Sequence, residues 1–112
     1  MKNNSETIKR IYDIILSRRK ASPDNSYVAG LFSDGLEKII SKVEEESKET
    51  QEAGVNESNK ELIAESSDLL FHLMVLWAYR GVTPEEVFEE LSSREGISGL
   101  KEKAARTSNK TK

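Results

Sequence analysis

The sequence predicts an all-α fold: a helical bundle of four to five helices per chain, completed by a tightly packed homodimer. Three observations predict it. Apolar residues recur three and four apart, the period of one helix face, with no strand-like alternation and no internal repeat. Helix boundaries are written in the sequence, with Ser58…Glu61 and Thr83…Glu86 in capping-box form and Gly54 and Gly81 as stops. The run from Leu69 to Trp77 is apolar at every position but His72, so a helix there needs cover on nearly all sides. A chain of 112 residues struggles to supply that cover alone, and a second subunit provides it.

The elements follow in order. Residues 5–20 put Ile8, Ile11, Tyr12, Ile15 and Leu16 on one face, with Ser5 as N-cap. Arg18-Arg19-Lys20 falls in the last turn, where the helix dipole favours cations. Residues 21–25, containing Pro23-Asp24, turn the chain, and Ser26 caps a short helix from Tyr27 to Phe32. Ser33-Asp34-Gly35 breaks or bends the chain before a longer helix, residues 34–53, ended by Gly54. After a loop over Asn56 to Asn59, a helix runs over 59–80 and stops at Gly81. Thr83-Pro84-Glu85-Glu86 opens the last helix, with proline at its first position, and it reaches Arg94. Residues 1–94 thus form one domain. Residues 95–112 form a basic, partly disordered arm carrying +3 against −6 for the rest. Within it, Gly96 to Leu100 suits an ordered arm closing on an anionic ligand as well as a solvated terminus.

Composition excludes several classes. Charged residues are 33% and aromatics 6%, cysteine is absent, and the net charge is −3. Disulfides and thiolate zinc sites are therefore unavailable, and a reducing, cytoplasmic setting is expected. The first twenty residues lack the pattern of a secretory signal, and nothing points to nucleic acid. The longest apolar run is short of the ~20 residues of a membrane crossing.

Two acidic phrases carry the chemistry: Glu45-Glu46-Ser47-Lys48-Glu49, and, sixteen residues after Glu49, Glu65-Ser66-Ser67-Asp68. Carboxylates three or four apart project from one side of a helix, and the gap allows the two turns to face each other across an antiparallel pair. Two unit charges ~5 Å apart repel by about 3 kcal/mol at an effective dielectric near 20. A divalent cation resolves that repulsion, and all-oxygen ligands favour magnesium, manganese or calcium over zinc. On a helical wheel Glu45, Glu46, Glu49, Lys42 and Lys38 share a sector about 100° wide beside the apolar face of Leu36, Ile39, Ile40 and Val43. Glu61, Glu65, Asp68, His72 and Tyr79 share a stripe about 60° wide on the second helix. Lys38 and Lys42 serve either as i,i+4 partners of the acids or as phosphate ligands beside the metal. His72, the lone histidine, fits a hydrogen-bonded core position or a substrate contact.

These residues resemble a known signature. Glu45-Glu46-x-x-Glu49 with Glu65-x-x-Asp68 is similar to that of the all-α nucleoside triphosphate pyrophosphohydrolases of MazG type. The phrases Ser26-Tyr27-Val28-Ala29, Gly35-Leu36-Glu37-Lys38-Ile39, Lys42 to Glu46, Asp68 to Leu73 and Ser98 to Ala104 resemble the phosphoribosyl-ATP pyrophosphohydrolase family of histidine biosynthesis. The resemblance covers residues 6–106. It implies Mg²⁺-dependent hydrolysis of phosphoribosyl-ATP to phosphoribosyl-AMP and diphosphate, with Mn²⁺ as a possible substitute, in a dimer. Carried over by position, Glu46, Glu49, Glu65 and Asp68 would ligate the metal, and Glu45 would add a ligand or orient water. Lys38 and Lys42 would meet phosphates, and Tyr27 and His72 would lie near the nucleotide. Glu44 and Lys48 depart from the family, which has small and apolar residues there. No cysteine-bearing cyclohydrolase segment is present, so a fused two-step enzyme is not expected. Two rivals stand beside this expectation: a housekeeping hydrolase of surplus or non-standard nucleoside triphosphates, and a non-catalytic helical dimer acting as an adaptor.

Overall fold

The computed structural model describes residues 4–96. Every regular element among them is helical: a 3₁₀ turn, Asn4–Glu6, then α1 (Thr7–Ser17), α2 (Tyr27–Asp34), α3 (Leu36–Asn56), α4 (Asn59–Arg80) and α5 (Pro84–Ser92). Local chemistry accounts for most of these limits. The Ser26 hydroxyl accepts from the Ala29 N–H at 3.2 Å, and the Ser58 hydroxyl from the Glu61 N–H at 3.3 Å. Thr83 and Glu86 form the complete reciprocal box: Glu86 N–H donates to Thr83 Oγ1, and Thr83 N–H to Glu86 Oε1. Gly35 and Gly81 hold φ of 95° and 76°, conformations that L side chains rarely adopt, which sets the α2–α3 break and the end of α4.

Several boundaries differ from the sequence expectation. α2 runs to Asp34 rather than Phe32, α3 begins at Leu36 rather than residue 34, and α5 ends at Ser92 rather than Arg94. Both ends of α1 and the end of α3 move as well. The α-helix of α1 starts at Thr7, with Glu6 rather than Ser5 at the N-cap position, because the chain enters through the 3₁₀ turn. It closes at Ser17, so Arg18, Arg19 and Lys20 lie beyond its last turn, and Arg19 instead reaches over the Phe32 ring on α2. Gly54 does not end α3, which continues to Asn56. There the extended Glu57, leading into the Ser58 cap, stops it. The predicted arm beyond residue 96 lies outside the described residues.

Only Glu57 and Ser58 separate α3 from α4, so the two longest helices fold back as an antiparallel hairpin, the most extensive contact in the chain. α1 packs on α4, α2 on α3, and α5 on α1. The core joins Tyr12 and Ile15 of α1, Val28 and Leu31 of α2, Ile39 of α3, and Met74, Val75 and Ala78 of α4. Ile15, Ile39, Met74 and Val75 are fully buried, and each such side chain stabilises the fold by about 1.5–3 kcal/mol. The Tyr12 hydroxyl donates to the Val82 carbonyl at 2.7 Å and pins α1 to the α4–α5 connection.

α4 is long and apolar enough to match a membrane span, with a hydropathy of 1.2, yet a bundle's central helix shares those properties and α4 packs on both α1 and α3. Its cover within one chain is incomplete: Ile63 and Leu70 stay exposed, as do Leu36 and Ile40 on α3.

Candidate active site

The hairpin positions the acids. Glu46 and Glu49, one turn apart on α3, meet Glu65 in the second turn of α4, with one carboxylate oxygen from each lying within 4.8 Å of the others. Both acidic phrases therefore face the same gap. Burial separates the acids: Glu46 is 7% exposed, Glu65 half-buried, and Glu49 and Asp68 exposed. Glu46 Oε2 is fully enclosed and has no hydrogen-bond partner. An enclosed carboxylate oxygen without a hydrogen-bond partner is costly, and Glu46 Oε2 is therefore suited to accept a cation.

The electrostatics agree. Burial, with Glu49 beside it, pushes the Glu46 carboxyl above the usual carboxylate range. A hydrogen bond with Glu49, partial burial and the neighbouring acids push Glu65 up to about 7. Asp68 raises both through its charge but does not join the three-oxygen cluster. Such a group of like charges holds a proton when no cation is near, and gives it up to one. An all-carboxylate set with one enclosed, unpartnered oxygen fits a hard divalent cation such as magnesium.

One residue of this arrangement, Thr50, is not among those the sequence singled out. The Thr50 hydroxyl donates to the Glu46 carbonyl at 2.8 Å and to the Glu65 carbonyl at 3.1 Å. A single side chain thus spans the backbones of two of the clustered acids and fixes the register of α3 against α4. Threonine commonly bonds the carbonyl four residues earlier, so the sequence signalled the first bond; the second needs the hairpin.

The cationic side lies one turn back on α3. Lys42 Nζ donates to Glu45 Oε2 at 3.0 Å and lies 4.0 Å from Glu46 Oε1. The Lys42 bond holds the Glu45 carboxyl below its ordinary range, and Glu45 raises Lys42 in return. Glu45 is half exposed and stands outside the three-acid cluster. Lys38 is exposed one turn further back, near enough to stabilise the Glu45 anion. Glu44 and Lys48 pair with each other at 3.1 Å in solvent.

Tyr27 and His72 meet across α2 and α4. His72 is buried; its Nδ1 lies 2.8 Å from the Asp68 carbonyl and its Nε2 2.8 Å from the Tyr27 hydroxyl. A carbonyl only accepts, so Nδ1 carries the proton, and in the neutral ring Nε2 accepts from the tyrosine. The histidine is thus both core residue and anchor, holding the half-exposed Tyr27 ring toward Lys42 and Glu46. Burial raises the Tyr27 phenol, and the Lys42 charge pulls it the other way.

Comparison with known proteins identifies the family of the chain. The sequence model described as phosphoribosyl-ATP pyrophosphohydrolase matches residues 8–95. A phosphoribosyl-ATP pyrophosphatase of Erythrobacter litoralis is 50% identical over 100 residues, covering 89% of this chain and 96% of that protein. Proteins of the same name from Paramagnetospirillum magneticum (45% over 106 residues, 95% and 97% covered) and Zymomonas mobilis (50% over 103 residues, 92% and 96% covered) are similar along the same span. An all-helical chain with three clustered acids, matched over nearly its whole length, belongs to the phosphoribosyl-ATP pyrophosphohydrolase family.

Proposed function

We propose that this chain hydrolyses phosphoribosyl-ATP between its α and β phosphates, releasing phosphoribosyl-AMP and diphosphate, the second step of histidine biosynthesis. The observation that carries the reading is the cluster of Glu46, Glu49 and Glu65 with its enclosed, unpartnered oxygen. Those three, with Asp68 beside them, would hold Mg²⁺, or Mn²⁺ in its place. When bound, the cation neutralises phosphate charge and lowers the pKa of a bound water. Lys42 and Lys38 would meet phosphate oxygens. Lys42 is drawn from Glu45 as it does so, leaving that carboxylate free to orient or deprotonate water within hydrogen-bond reach. Tyr27, held by His72, would flank the nucleotide.

A homodimer fits the same reading. Only 22% of the most apolar window of α4 is buried within one chain, and Ile63 is 70% exposed. A second copy laid on α3 and α4 would cover Leu36, Ile40, Ile63 and Leu70. A cytoplasmic enzyme without nucleic-acid or membrane partners is the setting this implies. The test is turnover of phosphoribosyl-ATP beside ATP, dCTP and dUTP with Mg²⁺. Faster hydrolysis of a simple triphosphate would replace this reading by the housekeeping one. No Mg²⁺-dependent hydrolysis of any of them would leave the non-catalytic dimer.

A further inference from the structure

A second polar surface lies along α4 from the acids. The chain after α1 carries Arg19 and Lys20 to the edge of a cleft of about 810 Å³, which Leu16, Ser17, Phe32 and Tyr79 also line. Phe32 and Tyr79 stack with centroids 6.0 Å apart and planes 14° from parallel, and the Arg19 guanidinium sits over the Phe32 ring at 5.5 Å. Among the described residues no carboxylate pairs with Arg19 or Lys20. An arginine held over an aromatic ring without a carboxylate partner can offer its N–H groups to an anion, and its planar fork matches phosphate. The cleft is of the size that takes small ligands. Its two cations and serine distinguish it from the apolar faces around Ile40 and Ile63, which suit a second copy.

Its position relative to the acids selects the ligand. α2 and α4 run side by side, so that Tyr27 meets His72 and, further along, Phe32 meets Tyr79. Asp68, His72 and Tyr79 share one stripe of α4, and the eleven residues from Asp68 to Tyr79 span about 16 Å at 1.5 Å per residue. A ligand whose phosphoanhydride sits at the acids and whose ring passes Tyr27 reaches the cleft with its far end. Phosphoribosyl-ATP has a second phosphate at that far end, on the ribose attached to the adenine ring, and ATP has none.

Resting on the function proposed above, we propose that the Arg19–Lys20–Phe32–Tyr79 cleft holds the substrate's phosphorylated ribose and so sets the preference for phosphoribosyl-ATP over ordinary triphosphates. The aromatic pair packs against the sugar, and Arg19 binds the monophosphate through two N–H groups.

The experiment compares kcat/KM for phosphoribosyl-ATP with that for ATP in wild type, Arg19→Ala and Arg18→Ala. Arg19 to alanine is expected to lower the ratio about tenfold or more, through KM for phosphoribosyl-ATP, as loss of a charge-assisted phosphate contact requires. Arg18, which does not line the cleft, serves as the control of equal charge loss, and its variant keeps the ratio. Titration of metal-free protein with ribose 5-phosphate is expected to give weaker binding in Arg19→Ala than in wild type. A retained ratio, equal loss in Arg18→Ala, or equal affinity for ribose 5-phosphate overturns the assignment. A wild type that prefers ATP overturns the functional reading itself, and the cleft with it.

Discussion

Replacing Glu46 by glutamine separates the cost of gathering the acids from their benefit. The substitution keeps the shape of the side chain and removes its charge. Glu46 and Glu49 present oxygens within 4.8 Å of each other. At that distance two charges repel by about 3 kcal/mol at an effective dielectric of 20 and about 1 kcal/mol in water. Glu49 is exposed, so the lower value governs, and metal-free Glu46→Gln is expected to melt about 4 °C above metal-free wild type. The difference depends on pH with a definite sign. Glu46 and Glu65 have folded pKa values above their unfolded ones, Glu65 at about 7. The folded state therefore binds more protons, and stability falls as pH rises from the ordinary carboxylate range through about 7. The advantage of the variant is thus full at pH 8 and small at pH 5. Magnesium reverses the order. At a hundredfold excess over its Kd, a cation bound only by the folded state stabilises by about 2.7 kcal/mol, roughly 10 °C for a chain of this size. Wild type is expected to gain that shift at pH 8, and Glu46→Gln most of it to lose. Differential scanning calorimetry with and without Mg²⁺ reads both effects. A variant that melts below wild type without metal, or that gains as much from Mg²⁺, would refute the account of the cluster.

The other expectations concern parts that support the site. Thr50→Val removes one hydroxyl whose two carbonyl partners keep their helical bonds, so it should cost about 1 kcal/mol and, by loosening the α3–α4 register, weaken Mn²⁺ binding; Thr50→Ser should restore the affinity in a calorimetric titration. Gly81→Ala places a side chain at φ 76° with open space around it, so strain alone acts, costing about 1 kcal/mol and about 4 °C in Tm. Ile63→Glu with Leu70→Glu charges the uncovered face of α4; if the proposed dimer forms there, sedimentation should show wild type as a dimer and the variant as a monomer.

Much of the fold was legible because its signals are local. Ser58, Gly81 and the Thr83–Glu86 box set the limits of α4 and the start of α5 through hydrogen bonds and a backbone conformation spanning at most four residues. The acids were legible too, since their spacing alone puts them on one side of each helix. Where local signals competed, the sequence misled: Gly54 allows a helix end but does not compel one, and the stop came from Glu57 and Ser58. The basic run after α1 looked like a dipole partner, yet α1 closes at Ser17 and Arg19 lies over the Phe32 ring.

The sequence by itself determined which side chains are charged, which helix face each occupies, and that the acidic phrases gather repelling charge. Only the tertiary structure decided that Glu46 is the enclosed acid, that Thr50 bridges Glu46 to Glu65, that His72 anchors Tyr27, and that Arg19, Phe32 and Tyr79 form one cleft. Helix faces follow from a period of 3.6 residues, which the chain carries in itself. Burial and cross-helix bonds follow from how helices distant in sequence pack, and that is fixed by the apolar core they share.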